Sequence, residues 1–134
     1  MKTVYVSGKI TDISNEMVEE NIETALTYAK QIWKLTMEGY SVGVFCPHGN
    51  DQGVHRMGVP YEALMEYDLW NVENHDAIFM CPNWQDSPGS KRELEHAQNM
   101  GKKVLYNITD VREWLDEHEE YKNYDGEISH NPIF

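Results

Sequence analysis

Two carboxylates in this chain, Glu93 and Asp68, occupy positions from which they could do chemistry together. Glu93 ends the run Trp84-Gln85-Asp86-Ser87-Pro88-Gly89-Ser90-Lys91-Arg92-Glu93, which follows the short apolar segment Ala77-Ile78-Phe79-Met80. A strand, a Gly/Ser/Pro turn and then a helix place Glu93 near the carboxyl end of a sheet, where open α/β folds take their ligands. The partial positive charge of a helix N-terminus favours an ionised carboxylate. Beside a small-molecule cleft, such a group is a candidate nucleophile. Two helix starts are open. In one, Ser90-Lys91-Arg92-Glu93 is a capping box and Glu93 reaches back to the Ser90 amide. In the other, Ser87 is the N-cap, Pro88 takes the first helical position, and the Glu93 side chain is not needed for the cap.

Asp68 stands out because it breaks a pattern. The segment opened by Pro60 and running to about Asn74 carries Tyr61, Leu64, Met65, Leu69 and Val72 at helical spacing, and Asp68 falls inside that stripe. A core-facing aspartate is costly unless it is bonded or used. Either it accepts backbone hydrogen bonds, or it faces a site as the partner of Glu93. A second stripe through Ala63, Tyr67 and Trp70 would put it at the margin instead. Asp76, at the start of a strand, and Asp86, before Ser-Pro-Gly, read as turn residues.

Other residues are candidates for binding. Ser7-Gly8-Lys9 lies on the first strand-to-helix turn, where small residues let a sugar or phosphate approach backbone amides. It is neither a P-loop nor a dinucleotide fingerprint. His48 and His55 are loop residues able to contact a ligand base, and Trp84 or Trp70 could stack on a ring. Cys46, His48, His55 and Cys81 match no standard zinc spacing, so neither metal nor cofactor is expected. No Ser/His/Asp nucleophile elbow is present.

These residues need a scaffold of alternating strands and helices. Thr3–Val6, Ser41–Phe45, Ala77–Met80 and Lys103–Tyr106 read as strands. Ser14 or Asn15 could cap a helix with Val18, Ile22, Ala25, Leu26, Ala29, Ile32 and Trp33 on one face, closed by Gly39. A long Gly- and His-containing loop runs from Cys46 to Val59. Further helices are expected from Pro60, through Glu93 to Met100, and from Val111 to about Glu120. The alternation predicts an α/β fold, an open parallel sheet of four to five strands with helices on both faces. The 134 residues suit one domain, with a core at about 3–120 and an irregular tail at 121–134 that is either a loose end or an arm on a neighbouring subunit.

Apolar content of 40% with 11% aromatics is that of a folded globular chain. The net charge of −12 argues against a nucleic-acid or anionic membrane surface, since phosphates are held by clustered Lys and Arg. No apolar run has membrane-spanning length and the start shows no signal-peptide pattern. Two cysteines are too few for a disulfide framework, so a reducing cytoplasm is the expected location.

Three blocks together resemble the nucleoside 2-deoxyribosyltransferase-like superfamily, especially its small phage and bacterial members of unassigned function. They are Val4-Tyr5-Val6-Ser7-Gly8-Lys9-Ile10, then Tyr67-Asp68-Leu69 with His75-Asp76-Ala77-Ile78, and Trp84 through Ala97, where the spacing of Ser87, Gly89, Glu93 and Ala97 is the most specific part. The resemblance covers roughly residues 3–106. It implies a flavodoxin-like sheet, a small-molecule nucleoside or nucleotide as substrate, and a homo-oligomer. Glu93 would attack C1′ and displace the base, giving a glycosyl ester that a second base or water resolves. Asp68 would orient the nucleophile or handle the proton on the base. Ser7, Gly8, Ser87 and Gly89 would line the sugar or phosphate end, with His48 and Trp84 bordering the base. Lys91-Arg92 departs from the small or apolar residues of true transferases, and Lys9 with Arg92 would suit a nucleoside monophosphate. The element by which a neighbouring subunit completes the site has no match in residues 107–134. The rival readings are a phosphoribohydrolase of the lysine-decarboxylase-like type and a non-catalytic nucleotide-binding module.

Overall fold

The computed structural model describes residues 1–50 and 57–117. Residues 51–56 of the expected Cys46–Val59 loop, His55 among them, the expected last turn of the closing helix and the 121–134 tail lie outside the described residues. Four strands form one all-parallel sheet: β1 (Lys2–Ser7), β2 (Val42–Phe45), β3 (Ala77–Met80) and β4 (Lys103–Leu105), in the order β2-β1-β3-β4. Around it lie α1 (Asn15–Trp33), α2 (Pro47–Asn50), α3 (Tyr61–Glu73), α4 (Pro88–Asn99) and α5 (Ile108–Glu117). The architecture is α/β with flavodoxin-like strand order, in which the chain switches direction across the sheet between β1 and β3.

Parallel strands buried on both faces read as continuous apolar runs, and β1 and β3 do so. Val4 and Val6 of β1, with Ala77 and Phe79 of β3, pack under α1 and α5 against Ala25, Ala29, Ile32, Val111, Trp114 and Leu115. Tyr5, Ile78 and Met80 point the other way and pack with Val72 of α3 and Leu94 and Ala97 of α4. The period-2 alternation of a strand therefore sends Tyr5 and Ser7 toward α3 and α4. Each fully buried Val, Ile or Leu in these layers contributes about 1.5–3 kcal/mol relative to exposure. The register is fixed by Tyr5 opposite Phe45 on one side and Ile78 on the other. At the foot of the sheet, Asp76 Oδ2 accepts from the Thr3 amide at 2.8 Å and the Thr3 hydroxyl at 3.2 Å.

The helix ends follow local chemistry. Ser14 caps α1, its hydroxyl accepting from the Met17 amide. After Trp33 the chain tightens into a 3₁₀ turn (34–38) before Gly39 ends it at φ 99°, a left-handed conformation that glycine adopts without a Cβ clash. Trp33 itself is solvent-exposed rather than on the buried face. Pro60 is the extended residue before α3, not its first helical residue. Within α3 the inward positions are Met65, Asp68, Asn71 and Val72, while Tyr67 and Trp70 stack on each other on the outer face. The stripe interrupted by Asp68 is thus the one that faces the protein. Among the described residues no helix is long and apolar enough to cross a membrane.

Candidate active site

The β1–β3 switch point opens a cavity of about 590 Å³ at the carboxyl edge of the sheet. Three segments wall it: Gly8, Ile10 and Thr11 after β1; Tyr61, Leu64, Met65 and Asp68 on α3; and the stretch from Ser87 to Ser90 with Arg92 and Glu93 on α4. The wall is mainly apolar, and its acidic members are Asp68 and Glu93, each only 6% exposed.

The start of α4 decides how Glu93 is presented. Ser87 is the N-cap, its hydroxyl accepting from the Ser90 amide at 3.0 Å, and Pro88 is the first helical residue. The capping-box alternative is therefore not the one adopted, and Glu93 turns toward the sheet. There Oε1 accepts from the Ser7 hydroxyl at 2.6 Å and Oε2 from the Tyr5 hydroxyl at 3.0 Å. The shorter contact lies in the range of charge-assisted O–H···O⁻ bonds. Hydroxyls that donate to a carboxylate favour its ionised form. Tyr5 is fully buried, with its ring 5.9 Å from Phe45 and 6.2 Å from His75. Its orientation is consequently fixed by packing, and a buried tyrosine needs a partner for its hydroxyl.

Gly89 lies against α3. A Cβ there would meet Met65 Cε at 3.2 Å and the Tyr61 hydroxyl at 3.3 Å, so the glycine lets the two helices close around the cavity. Arg92, on the same wall, is held by Glu62 through two contacts of 2.9 and 3.3 Å and lies over the Tyr61 ring.

The β1–α1 turn is fastened from several sides. The Lys9 amide donates to Asn83 Oδ1, and the Lys9 carbonyl accepts from His48 Nε2 at 3.1 Å. Asn21 Nδ2 donates to the Ile10 carbonyl and to Asp12. The Lys9 ammonium pairs with Asp12 at 3.2 Å. A Cβ on Gly8 would come within 3.1 Å of Cys81 Cβ and Sγ, so only glycine fits this approach without a shift. With a carbonyl as its partner, His48 carries its proton on Nε2. Burial pushes its imidazole down to about 4, with the Lys9 and Gly8 carbonyls opposing, so it is neutral at pH 7. Burial likewise pushes the Cys81 thiol up to about 12, and raises Cys46. Among the described residues no three His, Cys, Asp or Glu side chains are grouped to hold a metal.

Of the residues singled out in the sequence, Gly8, Asp68, Ser87, Gly89 and Glu93 share the cavity wall, and Ser7 stands behind Glu93. Lys9, His48 and Trp84 are not on that wall. Lys9 and His48 hold the turn, and Trp84 leans on Tyr106 with ring centroids 6.3 Å apart. Tyr5, Tyr61, Met65 and Ser90 were not anticipated as site residues. For Tyr5 a signal existed, since it lies two residues before Ser7 on one strand face.

The fold and this crevice define an α/β domain with a buried, hydroxyl-held carboxylate at a sheet switch point. The chain belongs to the family described as domain of unknown function DUF4406, whose model matches residues 2–106. Among curated proteins, no sequence matches. A solved structure described as a 2-desoxiribosyltransferase from Leishmania mexicana superposes with a TM-score of 0.51 at 19% identity, over 79% of this chain and 63% of that one. The chain thus spans less than two thirds of that protein, and what is shared is the fold.

Proposed function

We propose that this protein cleaves or transfers at the N-glycosidic bond of a (deoxy)nucleoside or nucleoside monophosphate, with Glu93 as nucleophile and Asp68 as its proton-handling partner. The observation that carries this reading is Glu93 itself. It is a carboxylate buried at the switch point, each oxygen receiving one hydroxyl, on the wall of a cavity it shares with a second buried carboxyl. Fold-level likeness to a deoxyribosyltransferase supports it by analogy.

A Glu93 oxygen attacks C1′, and the C1′–N bond breaks with its electron pair passing to the base nitrogen. The Asp68 carboxyl gives that nitrogen a proton, so the base leaves neutral and a glycosyl–Glu93 ester remains. Water (hydrolase) or a second base (transferase) then gives a proton to the Asp68 carboxylate and attacks C1′. The ester C–O bond breaks and the Glu93 carboxylate is restored. This is the two-carboxylate logic of retaining glycoside chemistry. The apolar cavity wall suits the flat face of a base, with polar groups fixing orientation.

The test is incubation with a panel of deoxynucleosides and their monophosphates, with and without an acceptor base, followed by chromatography for free base. Base release that disappears in Glu93→Gln supports the proposal. Release that survives Glu93→Gln refutes the nucleophile, and binding without release from any substrate favours a non-catalytic module.

A further inference from the structure

We propose that Tyr61 is the residue on which the base stacks, with the Arg92–Glu62 pair holding its ring in place. The proposal rests on the N-glycosidic reading above and adds to it the surface that receives the base. The rings expected to stack on a ligand are elsewhere: Trp70 lies against Tyr67 on the outer face of α3, and Trp84 leans on Tyr106. Among the described residues that line the cavity, Tyr61 carries the only aromatic ring. It is open, at 48% exposure, whereas Tyr5 behind the carboxylate is fully buried. A half-exposed ring on a mainly apolar wall is surface that a planar ligand can cover.

The ring is fixed from several sides. Pro60, extended at φ −60° and ψ 138°, pins the backbone where α3 begins, and Tyr61 is the first helical residue. The Arg92 guanidinium lies over one face, 5.8 Å from the ring centroid, and Glu62 ties it down with contacts of 2.9 and 3.3 Å. With that face occupied, a base takes the opposite one. At the far end of the ring, the Tyr61 hydroxyl reaches the first turn of α4, 3.3 Å from where a Cβ on Gly89 would stand. Gly89 precedes Glu93 by four residues, about 6 Å of helical rise. A sugar with C1′ at Glu93 projects its base across such an interval, so the carboxylate and the ring are spaced to hold the two halves of one nucleoside. Stacking uses the π-face that every base has, so this subsite selects aromatic bases as a class and not one of them.

The test is calorimetric binding in the Glu93→Gln background, which stops turnover. The ligands are deoxyadenosine, thymidine and dihydrothymidine, whose base keeps the polar groups of thymine but is neither aromatic nor planar. Each is measured with Tyr61 intact and with Tyr61→Phe, Tyr61→Leu and Tyr61→Met, the last two guarding against one ringless variant that fails to fold. The expected result is a Kd about tenfold weaker for deoxyadenosine and thymidine in the ringless variants, within the range for loss of one base–aromatic stack. Tyr61→Phe keeps the ring and should bind like its parent, and dihydrothymidine should lose little in any variant. No loss in the ringless variants overturns the proposal, as does failure of all three ligands to bind the parent. Equal loss for thymidine and dihydrothymidine makes Tyr61 a packing residue and overturns it too. A Tyr61→Phe loss matching that of Tyr61→Leu gives the role to the hydroxyl and has the same consequence. Base release by the protein with Glu93 intact separates this result from the reading beneath it. Ring-dependent binding without release sinks the glycosidic chemistry and leaves the stacking subsite, whereas release without ring dependence does the reverse.

Discussion

Removal of the Ser7 hydroxyl should weaken this protein more than removal of the Tyr5 hydroxyl, and the difference should depend on the Glu93 charge. Ser7 Oγ donates to Glu93 Oε1 at 2.6 Å and Tyr5 to Oε2 at 3.0 Å. The first distance is that of a charge-assisted bond and the second sits at the long end for O–H···O contacts. Ser7→Ala should therefore cost about 1.5–3 kcal/mol of stability at neutral pH, the range for hydrogen bonds to charged groups. Tyr5→Phe keeps the ring against Phe45 and His75 and should cost about 1 kcal/mol. In the Glu93→Gln background each contact becomes a neutral bond, so the Ser7→Ala cost should fall to about 0.5–1.5 kcal/mol. Urea titrations of the four proteins of the Ser7/Glu93 cycle give the coupling directly. Coupling of about 1 kcal/mol or more is expected. Additive losses, or a Tyr5→Phe cost exceeding that of Ser7→Ala, would refute the reasoning that ties the two hydroxyls to the glutamate charge.

Two further outcomes follow from buried groups away from the carboxylates. His48 is held near 4 against an ordinary value of 6.5, so between those values the unfolded chain takes up a proton that the folded one refuses. Stability should drop as pH falls from about 6.5 toward 4, by up to about 3 kcal/mol, and His48→Gln should flatten that slope in urea midpoints measured at pH 7 and pH 5. The Cys81 thiol, fully buried and raised to about 12, should resist iodoacetamide at pH 8 until the protein unfolds, with peptide mapping showing any native-state label on Cys46 first.

Much of the scaffold was legible because parallel strands and amphipathic helices leave periodic traces. The runs around Val4, Val44, Ile78 and Val104 marked the four strands, and the misplaced polar residue in α3 marked a buried carboxyl that does line the cavity. What periodicity does not encode is where a loop side chain points. His48 follows a strand end and so looked available to a ligand, yet its imidazole fastens the Lys9 carbonyl. Lys9 looked like a phosphate contact, but Asp12, three residues on, holds its charge. The reverse error occurred at Tyr5, which reads as an ordinary β-strand aromatic until Ser7, two residues later, is seen to share its face and its partner. The choice between the two helix starts at Ser87 and Ser90 rested on a single turn, and both matched known caps; Pro88 at the first helical position accompanies the start adopted.

The nucleophile is the central claim, and the most direct measurement is the mass of the peptide containing Glu93. The protein is mixed with excess deoxynucleoside, quenched in acid within the first turnovers, digested and analysed by mass spectrometry. The account predicts an added glycosyl mass on the α4 peptide, localised to Glu93 and absent in Glu93→Gln. Base release at an undiminished rate with no adduct on that peptide, or an adduct on any other residue, contradicts it.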